Sequence, residues 1–356
     1  MSEQVATTSQ DDTVEIAQVG DDRPRAGTGS RLAEHAALAV RRAACALRRP
    51  GPWRRGPVFA ALALLLGLLM ALHAEIPHGS MNAGSLVETF LPWFGLPVLP
   101  LLAGALWRRS ASALVALVLP VTVWLSLFGG LLTDKSRPGS DLTVASHNAG
   151  AANPDPAGTA RDLAASGADL LALQEITDAA LPLYEAELAK TYPHHTTHGT
   201  VGLWSKLPLS GTRPVDIAMY PSRALRTAVA TERGPLAVYV AHLGSVRVNP
   251  RAGLSTGQRD AGARALAAAV AAEPAARVMV LGDLNGTVDD RAFDGLTGRL
   301  HSVQEEAGNG FGFTWPAGFP VARIDQILVR GLEPRSAWVL PATGSDHLPV
   351  AAGLAW

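Results

Sequence analysis

Residues 278–286 read Val-Met-Val-Leu-Gly-Asp-Leu-Asn-Gly, and this stretch decides how the rest of the chain is interpreted. Its four leading apolar residues predict a buried β-strand that stops at Gly282. Asp283 and Asn285 follow two positions apart, so on an extended chain both side chains point the same way. A carboxylate only accepts hydrogen bonds whereas an amide also donates them, and together they suit an attacking water beside a phosphoryl oxygen. Acidic turns after strands are common, so other parts of the chain must support this interpretation.

Length and composition predict two units, one of them in contact with lipid. The chain has 356 residues, which exceeds one average domain. Its charged fraction of 17% is low, as expected when part of a chain lies in a membrane. The formal net charge of -1 gives no general attraction to nucleic acid, which is therefore not expected as a partner. A single cysteine, Cys45, excludes an intrachain disulfide.

The first 56 residues predict a cytoplasmic tail. Residues 1–30 are polar and lack hydrophobic periodicity, which is typical of disorder. Residues 31–49 combine a helical apolar pattern with several arginines. That segment is either a solvated helix or a basic helix resting on anionic lipid, and the sequence leaves both open.

Three apolar runs within residues 57–133 predict three transmembrane helices. They cover residues 57–74, 89–107 and 111–133, and the second contains Pro92, Pro97 and Pro100. Runs of this length are close to what a bilayer requires. The alternative is a set of buried helices in a soluble protein. A cleavable signal peptide is not expected, because the first run begins too deep in the chain and two others follow it.

Arginine placement predicts the orientation. Residues 41–55, just before the first run, contain six arginines. Arg108 and Arg109 lie between the second and third runs, and residues 75–88 contain no lysine or arginine. Basic segments stay cytoplasmic. We therefore expect a multi-pass cell-membrane protein with a cytoplasmic N-terminus and everything after residue 133 outside the cytoplasm. Lys135 and Arg137 oppose this orientation but are outnumbered.

After a linker at 134–141, residues 142–356 predict one α+β domain. Strand-like runs outnumber helical ones, and several have hairpin spacing, which favours a mixed sandwich over a doubly wound parallel sheet. The predicted helices cover 159–165, 179–190 and 256–272. The predicted strands cover 142–146, 169–173, 201–204, 225–230, 236–241, 278–281, 324–329, 337–340 and 348–352.

Polar residues recur where these strands end or begin. In chain order they are His147-Asn148, Gln174-Glu175, His242, Asp283 with Asn285, Arg323-Ile324-Asp325 and Ser345-Asp346-His347. This set and order resembles the endonuclease/exonuclease/phosphatase superfamily over residues 142–356. The resemblance implies a four-layer α/β/β/α sandwich and a metal-dependent hydrolase of phosphate esters or anhydrides.

The resemblance also implies a role for each site residue. Glu175 would bind Mg²⁺ or Mn²⁺ with help from Asn148 and Asp346, which fits a hard cation that keeps several waters. The remaining residues would act on the phosphate. Asp283 would orient or deprotonate the water, Asn285 would bind a phosphoryl oxygen, His242 and His347 would contact the phosphate, and Asp325 would fix the His347 tautomer.

Some positions depart from the superfamily pattern or carry weaker predictions. Gly150 stands where some relatives have a second acid, and Gln326 stands where many have histidine or tyrosine. A two-carboxylate metal cluster beside Asn148 is therefore not expected. Four arginines are weak candidates for lining the substrate cleft, namely Arg226, Arg247, Arg251 and Arg259.

Three membrane spans before such a domain resemble the membrane-bound teicoplanin-resistance proteins of actinomycetes. That similarity implies hydrolysis of a lipid-linked phosphate such as undecaprenyl diphosphate, because a tether presents lipid substrates at high effective concentration. The alternatives are a membrane-anchored nuclease or phosphodiesterase, and a non-catalytic module that binds lipid phosphates.

Overall fold

The computed structural model describes residues 35, 37–42, 51–76, 82–249 and 253–356. The chain divides into two compact units, Met1–Trp53 and Arg54–Trp356. In the first unit, residues 35 and 37–42 are helical and exposed, while the disorder predicted for residues 1–30 lies outside the described residues. All features below belong to the second unit.

Within the part of the chain that the structure describes, fourteen strands build two six-stranded mixed sheets and one small ribbon. The first sheet has the order β13-β14-β1-β2-β4-β3, the second has the order β11-β12-β10-β7-β6-β5, and β8 pairs with β9. The strands are β1 Leu142–Asn148, β2 Leu170–Gln174, β3 His194–His198, β4 Val201–Ser205, β5 Leu209–Pro214, β6 Ala224–Thr231, β7 Gly234–His242, β8 Arg247–Asn249, β9 Gly253–Ser255, β10 Val278–Asp283, β11 His301–Ser302, β12 Asp325–Arg330, β13 Glu333–Val339 and β14 Val350–Ala355.

Nine α-helices accompany these strands within the described residues. They are α1 Pro57–Ala71, α2 Ala83–Phe90, α3 Val98–Arg108, α4 Ala111–Phe128, α5 Pro156–Ala165, α6 Leu181–Leu188, α7 Gly257–Ala271, α8 Asp294–Thr297 and α9 Val303–Ala307. Local chemistry explains where several of them begin. For example, Asp155 accepts a hydrogen bond from the Gly158 amide at 2.8 Å and Pro156 follows it, which is the expected start of α5.

The two sheets pack face to face and carry helices on their outer faces. Side chains alternate along β7, so Val238 joins the core between the sheets while Tyr239 packs outward with Leu266 of α7. The first sheet does the same, with Leu171 packing outward against α5 and α6. These layers agree with the predicted α/β/β/α sandwich.

Strand register places the polar strand ends at one edge. In the second sheet β10 runs parallel to β7 and antiparallel to β12, so Asp283 lies opposite both His242 and Asp325. In the first sheet β1 runs parallel to β2, and Asn148 lies opposite Gln174, the residue before Glu175. The carboxyl ends of parallel strands meet at the same edge, which explains how residues far apart in sequence converge.

The prediction of three membrane spans is not confirmed. Among the described residues, only Ala111–Leu132 forms a continuous helical stretch long and apolar enough to cross a bilayer. The second predicted run is broken into Ala83–Gly95 and Val98–Arg108, which meet at 50°. Pro97 lies at this break and Pro92 lies at the start of the preceding 3₁₀ turn, Leu91–Gly95. Proline cannot donate the backbone hydrogen bond that would continue a helix. The first run yields α1, with 15 residues.

Many apolar side chains of these helices have no protein partner within the described residues. Only 28% of the candidate span is buried. On α1, Val58, Leu62 and Leu65 are exposed, as is Leu99 on α3. Exposed apolar surface of this extent is typical of a membrane or protein interface.

Gly282 is required by the approach of β10 to β7, and we expect Gly282→Ala to unfold the domain or nearly so. Its φ is +149°, and a Cβ there would lie 1.9 Å from the Ala241 carbonyl oxygen. Backbone strain and overpacking together predict a loss of at least about 3 kcal/mol in the free energy of unfolding.

Chemical denaturation of the purified variant measures this loss. Gly318→Ala is the matched control, because a Cβ at Gly318 meets nothing within 4 Å. Equal unfolding midpoints for the two variants would contradict the prediction.

Candidate active site

Asp283 lies at the centre of the site and is 1% exposed. Its Oδ2 accepts a hydrogen bond from Asn148 Nδ2 at 2.9 Å, and its Oδ1 accepts one from the Asn285 backbone amide at 2.8 Å. Burial raises the pKa of Asp283 to about 7, and the nearby charge of Asp325 adds to the effect. A carboxylate with such a pKa is suited to accept a proton near neutral pH.

Asn285 lies beside Asp283 as expected, but its backbone geometry differs from the prediction. The extended-chain argument fails because β10 ends at Asp283 and Asn285 has a φ of 51° in the left-handed region. Its Nδ2 donates to Asp283 Oδ2 at 3.2 Å and to the Leu243 carbonyl at 3.0 Å. Strained conformations persist where the surroundings hold them, and they are frequent at active sites.

His347 and Asp325 form a hydrogen-bonded pair. His347 Nδ1 lies 2.9 Å from Asp325 Oδ2, and His347 Nε2 lies 3.8 Å from Asp283 Oδ2. Burial alone would lower the pKa of His347, but the charge and hydrogen bond of Asp325, followed by the charge of Asp283, raise it to about 9. The imidazole is therefore cationic at neutral pH and positioned as a donor to an anion.

His242 faces the gap between two acids. Its Nε2 lies 3.6 Å from Asp283 Oδ2 and 3.7 Å from Glu175 Oε1. Neither ring nitrogen has a hydrogen-bond partner among the described residues, and burial lowers the pKa of His242 to about 4. A buried neutral imidazole without a partner requires an explanation, and a group bound between the two acids would supply one.

Glu175 follows β2 in a left-handed conformation, with a φ of 58°. Its Oε2 accepts a hydrogen bond from the Ala151 amide at 2.9 Å, and its side chain is 30% exposed. Burial alone would raise the pKa of Glu175, but the Ala151 amide, His242 and Asn148 together lower it. Glu175 is therefore an ionised carboxylate at the cavity surface.

Two groups of residues could hold a cation. Ligand atoms of Asp283, Asp325 and His347 lie within 4.8 Å of one another. However, the cationic His347 repels a metal, and Asp283 already accepts several hydrogen bonds. Glu175 fits better because it is ionised and reaches the cavity, and Asn148 adjoins it. One carboxylate with few other protein ligands suits Mg²⁺ or Mn²⁺, which keep bound waters.

Asp346 lies at the cavity rim rather than in its interior. It is exposed, and its Oδ2 lies 3.4 Å from Trp315 Nε1. Gln326 is buried and donates to the carbonyls of Gly286 and Arg323, so it does not point into the site.

Two of the four predicted cleft arginines lie elsewhere. Arg226 forms a bidentate pair with Glu273, at 2.9 and 3.1 Å, outside the cavity. Arg259 is 1% exposed and binds Asp260 and Asp290. Sequence pattern does not distinguish a paired, buried arginine from a solvent-facing one.

Arg247 and Arg251 were the other two predicted cleft arginines. Arg247 is exposed, two residues after Ser245, which lines the cavity. Arg251 lies outside the described residues.

The site residues open into a cavity of about 350 Å³. Its polar lining residues include Glu175, Asp283, Asn285, Asp346 and His347. Its largely apolar remaining lining is not predicted from the sequence. It contains Leu86, Thr89 and Phe90 of α2, together with Val246, Trp315, Ala322 and Ile324. In the sequence Leu86 lies in the predicted loop before the second apolar run, and Thr89 and Phe90 begin that run, so no sequence signal points to the cavity.

The fold and site together define a metal-dependent hydrolase of phosphoric esters or anhydrides. Residues 145–347 match the model of the Endonuclease/Exonuclease/phosphatase family, and the chain belongs to that family. No curated protein matches the sequence significantly.

Solved structures share the fold at low sequence identity. An endonuclease/exonuclease/phosphatase from Bacteroides vulgatus has 16% identity and a TM-score of 0.51, covering 61% of this chain and 99% of its own. TDP2 of D. rerio, complexed with single strand DNA product, has 20% identity and a TM-score of 0.51, covering 60% and 98%. A functionally unknown conserved protein from Enterococcus faecalis has 15% identity and a TM-score of 0.50, covering 60% and 99%.

Proposed function

We propose that this enzyme is a membrane-anchored phosphohydrolase that cleaves a lipid-linked phosphate such as undecaprenyl diphosphate. One observation carries the proposal: a single cavity is lined by the acid and histidine cluster and by apolar residues of α2. The exposed apolar surface of α1 and the candidate span Ala111–Leu132 support attachment to a membrane. The active site would face outward, and the resulting activity would give glycopeptide resistance of the teicoplanin type.

The chain's own residues suggest how hydrolysis would proceed. Asp283 would take a proton from the attacking water, Asn285 and His242 would contact phosphoryl oxygens, and cationic His347 would donate to the phosphate. Asp325 would hold the His347 ring through its 2.9 Å contact with Nδ1. Glu175 and Asn148 would hold Mg²⁺ or Mn²⁺, which polarises a phosphoryl group when bound.

The nuclease alternative has less support. Nucleases need basic residues that follow the phosphate backbone. Arg226 and Arg259 are paired with acids, and among the cavity-lining residues within the described part of the chain there is no lysine or arginine. The non-catalytic alternative is disfavoured because the paired His347–Asp325 and the buried Asp283 are arranged for proton transfer.

Phosphate release from undecaprenyl diphosphate, measured with the full-length protein in detergent and Mg²⁺, tests the proposal. We expect the wild type to release phosphate and EDTA to stop the release. Plasmid nicking without lipid hydrolysis would favour the nuclease. Tight binding of the lipid without turnover would favour the binding module.

We expect the rate to fall as pH rises through about 9, because His347 loses its proton there. Asp325 is the largest influence that raises this pKa, so Asp325→Asn should move the alkaline limb to lower pH by at least about one unit. Asp346→Asn should move it less, since that acid is exposed. The measurement is kcat between about pH 6 and pH 10.5. An unchanged alkaline limb in Asp325→Asn would show that His347 is not the cationic donor whose proton the reaction requires.

A further inference from the structure

We propose that α2 forms a subsite for the apolar chain of the substrate, and that Leu86, Thr89 and Phe90 set the preference for a long chain. This inference rests on the proposed function, because it concerns the lipid part of the same substrate. It assigns a binding role to a segment that the sequence predicts as part of a loop and the start of a membrane span.

The position of the three side chains carries the argument. Leu86, Thr89 and Phe90 are three and four residues apart, so they share one face of α2. That face lines the same cavity as the polar site residues, together with Val246, Trp315 and Ile324. Leu86 is still 45% exposed, so an apolar group in the cavity would cover it.

A neighbouring face of α2 is fixed to the catalytic domain by buried polar contacts. Ser85 Oγ donates to Asp290 Oδ2 at 2.9 Å and accepts from Arg259 Nη2 at 2.9 Å. Arg259 in turn binds Asp290 at 2.8 Å. All three residues are at most 1% exposed. An isolated helix of eight residues would be marginal in water, so these contacts hold α2 in place as a wall of the cavity.

A second set of contacts joins the following segment to the same domain. Trp93 Nε1 donates to the Val321 carbonyl at 2.8 Å, and its ring stacks on Phe313 at 5.5 Å. The cavity wall is therefore continuous in sequence with the broken helix pair Ala83–Gly95 and Val98–Arg108.

The occupant that fits this wall is an alkyl or polyprenyl chain attached to a phosphate. The phosphate would lie beside His347 and Asp283, and the first carbons of the chain would lie against Leu86 and Phe90. A cavity of about 350 Å³ suits a headgroup and the start of a chain. The apolar helices that continue from α2 provide the surroundings for the remainder.

The experiment compares two substrates with the same headgroup, undecaprenyl diphosphate and dimethylallyl diphosphate. The full-length protein is assayed in detergent, and the measured quantity is the ratio of their kcat/KM values. We expect Leu86→Ser to lower the long-to-short ratio at least about tenfold, since apolar contacts discriminate at this level. Thr89→Trp, which fills the cavity, should lower it as well.

Leu64→Ser is the matched control. Leu64 on α1 is also 45% exposed but does not line the cavity. The Leu64→Ser variant should therefore have the same long-to-short ratio of kcat/KM as the wild type. Thr89→Trp carries the test if Leu86→Ser does not fold.

The outcomes separate this inference from the proposed function. Wild-type ratios in both Leu86→Ser and Thr89→Trp would overturn the subsite while leaving lipid phosphate hydrolysis intact. A wild type that hydrolyses p-nitrophenyl phosphate but not undecaprenyl diphosphate would overturn the proposed function and the subsite with it.

Discussion

Asp283→Asn is expected to lower kcat by about 10³-fold, within the range that a positioned general base contributes. The amide cannot take a proton from water. The substitution changes neither size nor shape, and the Asn285 backbone amide can still donate to the retained oxygen. The loss should appear in kcat measured on a simple phosphoester as well as on a lipid diphosphate, because Asp283 acts on the water rather than on the leaving group.

Relative to the wild type, the same variant should be more stable at pH 8 than at pH 4, although its new amide group no longer accepts the hydrogen bonds that Oδ2 takes from the Asn148 and Asn285 side chains. Burial raises the pKa of Asp283 to about 7 from an ordinary value of 3.8. The folded state therefore holds this proton more tightly than the unfolded state, and stability falls as pH rises between these values. The variant has no buried charge at position 283 beside Asp325, so its stability does not fall in this way. Denaturation midpoints in EDTA measure the effect.

Asp162→Asn provides the control, because Asp162 is an exposed acid on α5. It should retain wild-type activity and stability. An Asp283→Asn enzyme with activity within about tenfold of the wild type would show that another group accepts the proton.

Glu175→Gln is expected to weaken Mg²⁺ or Mn²⁺ binding by at least about tenfold and to lower activity in proportion at limiting metal. Glu175 is an ionised carboxylate at the cavity surface. Since glutamine has the same length, the left-handed backbone at this position, with a φ of 58°, is not further strained by a change in size. High metal concentrations should restore part of the activity.

Titration of the protein with Mn²⁺, followed by calorimetry, checks this prediction. Glu232→Gln alters an exposed glutamate in the turn between β6 and β7 and should bind metal as the wild type does. Wild-type affinity in Glu175→Gln, with loss of affinity in Asp325→Asn, would instead place the cation at Asp283, Asp325 and His347.

Much of the sandwich could be predicted because its strands carry strong local signals. The apolar residues from Val278 to Leu281 are buried alternately between the sheets and beneath α7, as a two-sided strand requires. The strands β3 and β5 were missed, since their sequences, His194–His198 and Leu209–Pro214, are polar and lie at sheet edges. An edge strand needs no apolar pattern.

The sequence predicted which residues form the candidate site but not most of the contacts between residues. Asp325 and His347 could be paired from resemblance alone, and the structure brings them within 2.9 Å. Local sequence does not predict that Arg226 binds Glu273 or that Arg259 binds Asp290. Those partners lie 47 and 31 positions away in the sequence. Ion pairs between such distant positions produce no periodic pattern that a sequence analysis could detect.

The sequence by itself determined most of the core strands, the polar residues at their ends and the apolar character of residues 57–133, because each depends on short-range pattern. Only the tertiary structure decided which of those residues share a cavity. Register between β7, β10 and β12 sets Asp283 beside His242 and Asp325. The chain bends by 50° near Pro97, and α2, which precedes that bend, lines the same cavity. Both outcomes depend on packing between distant segments, which no local pattern encodes.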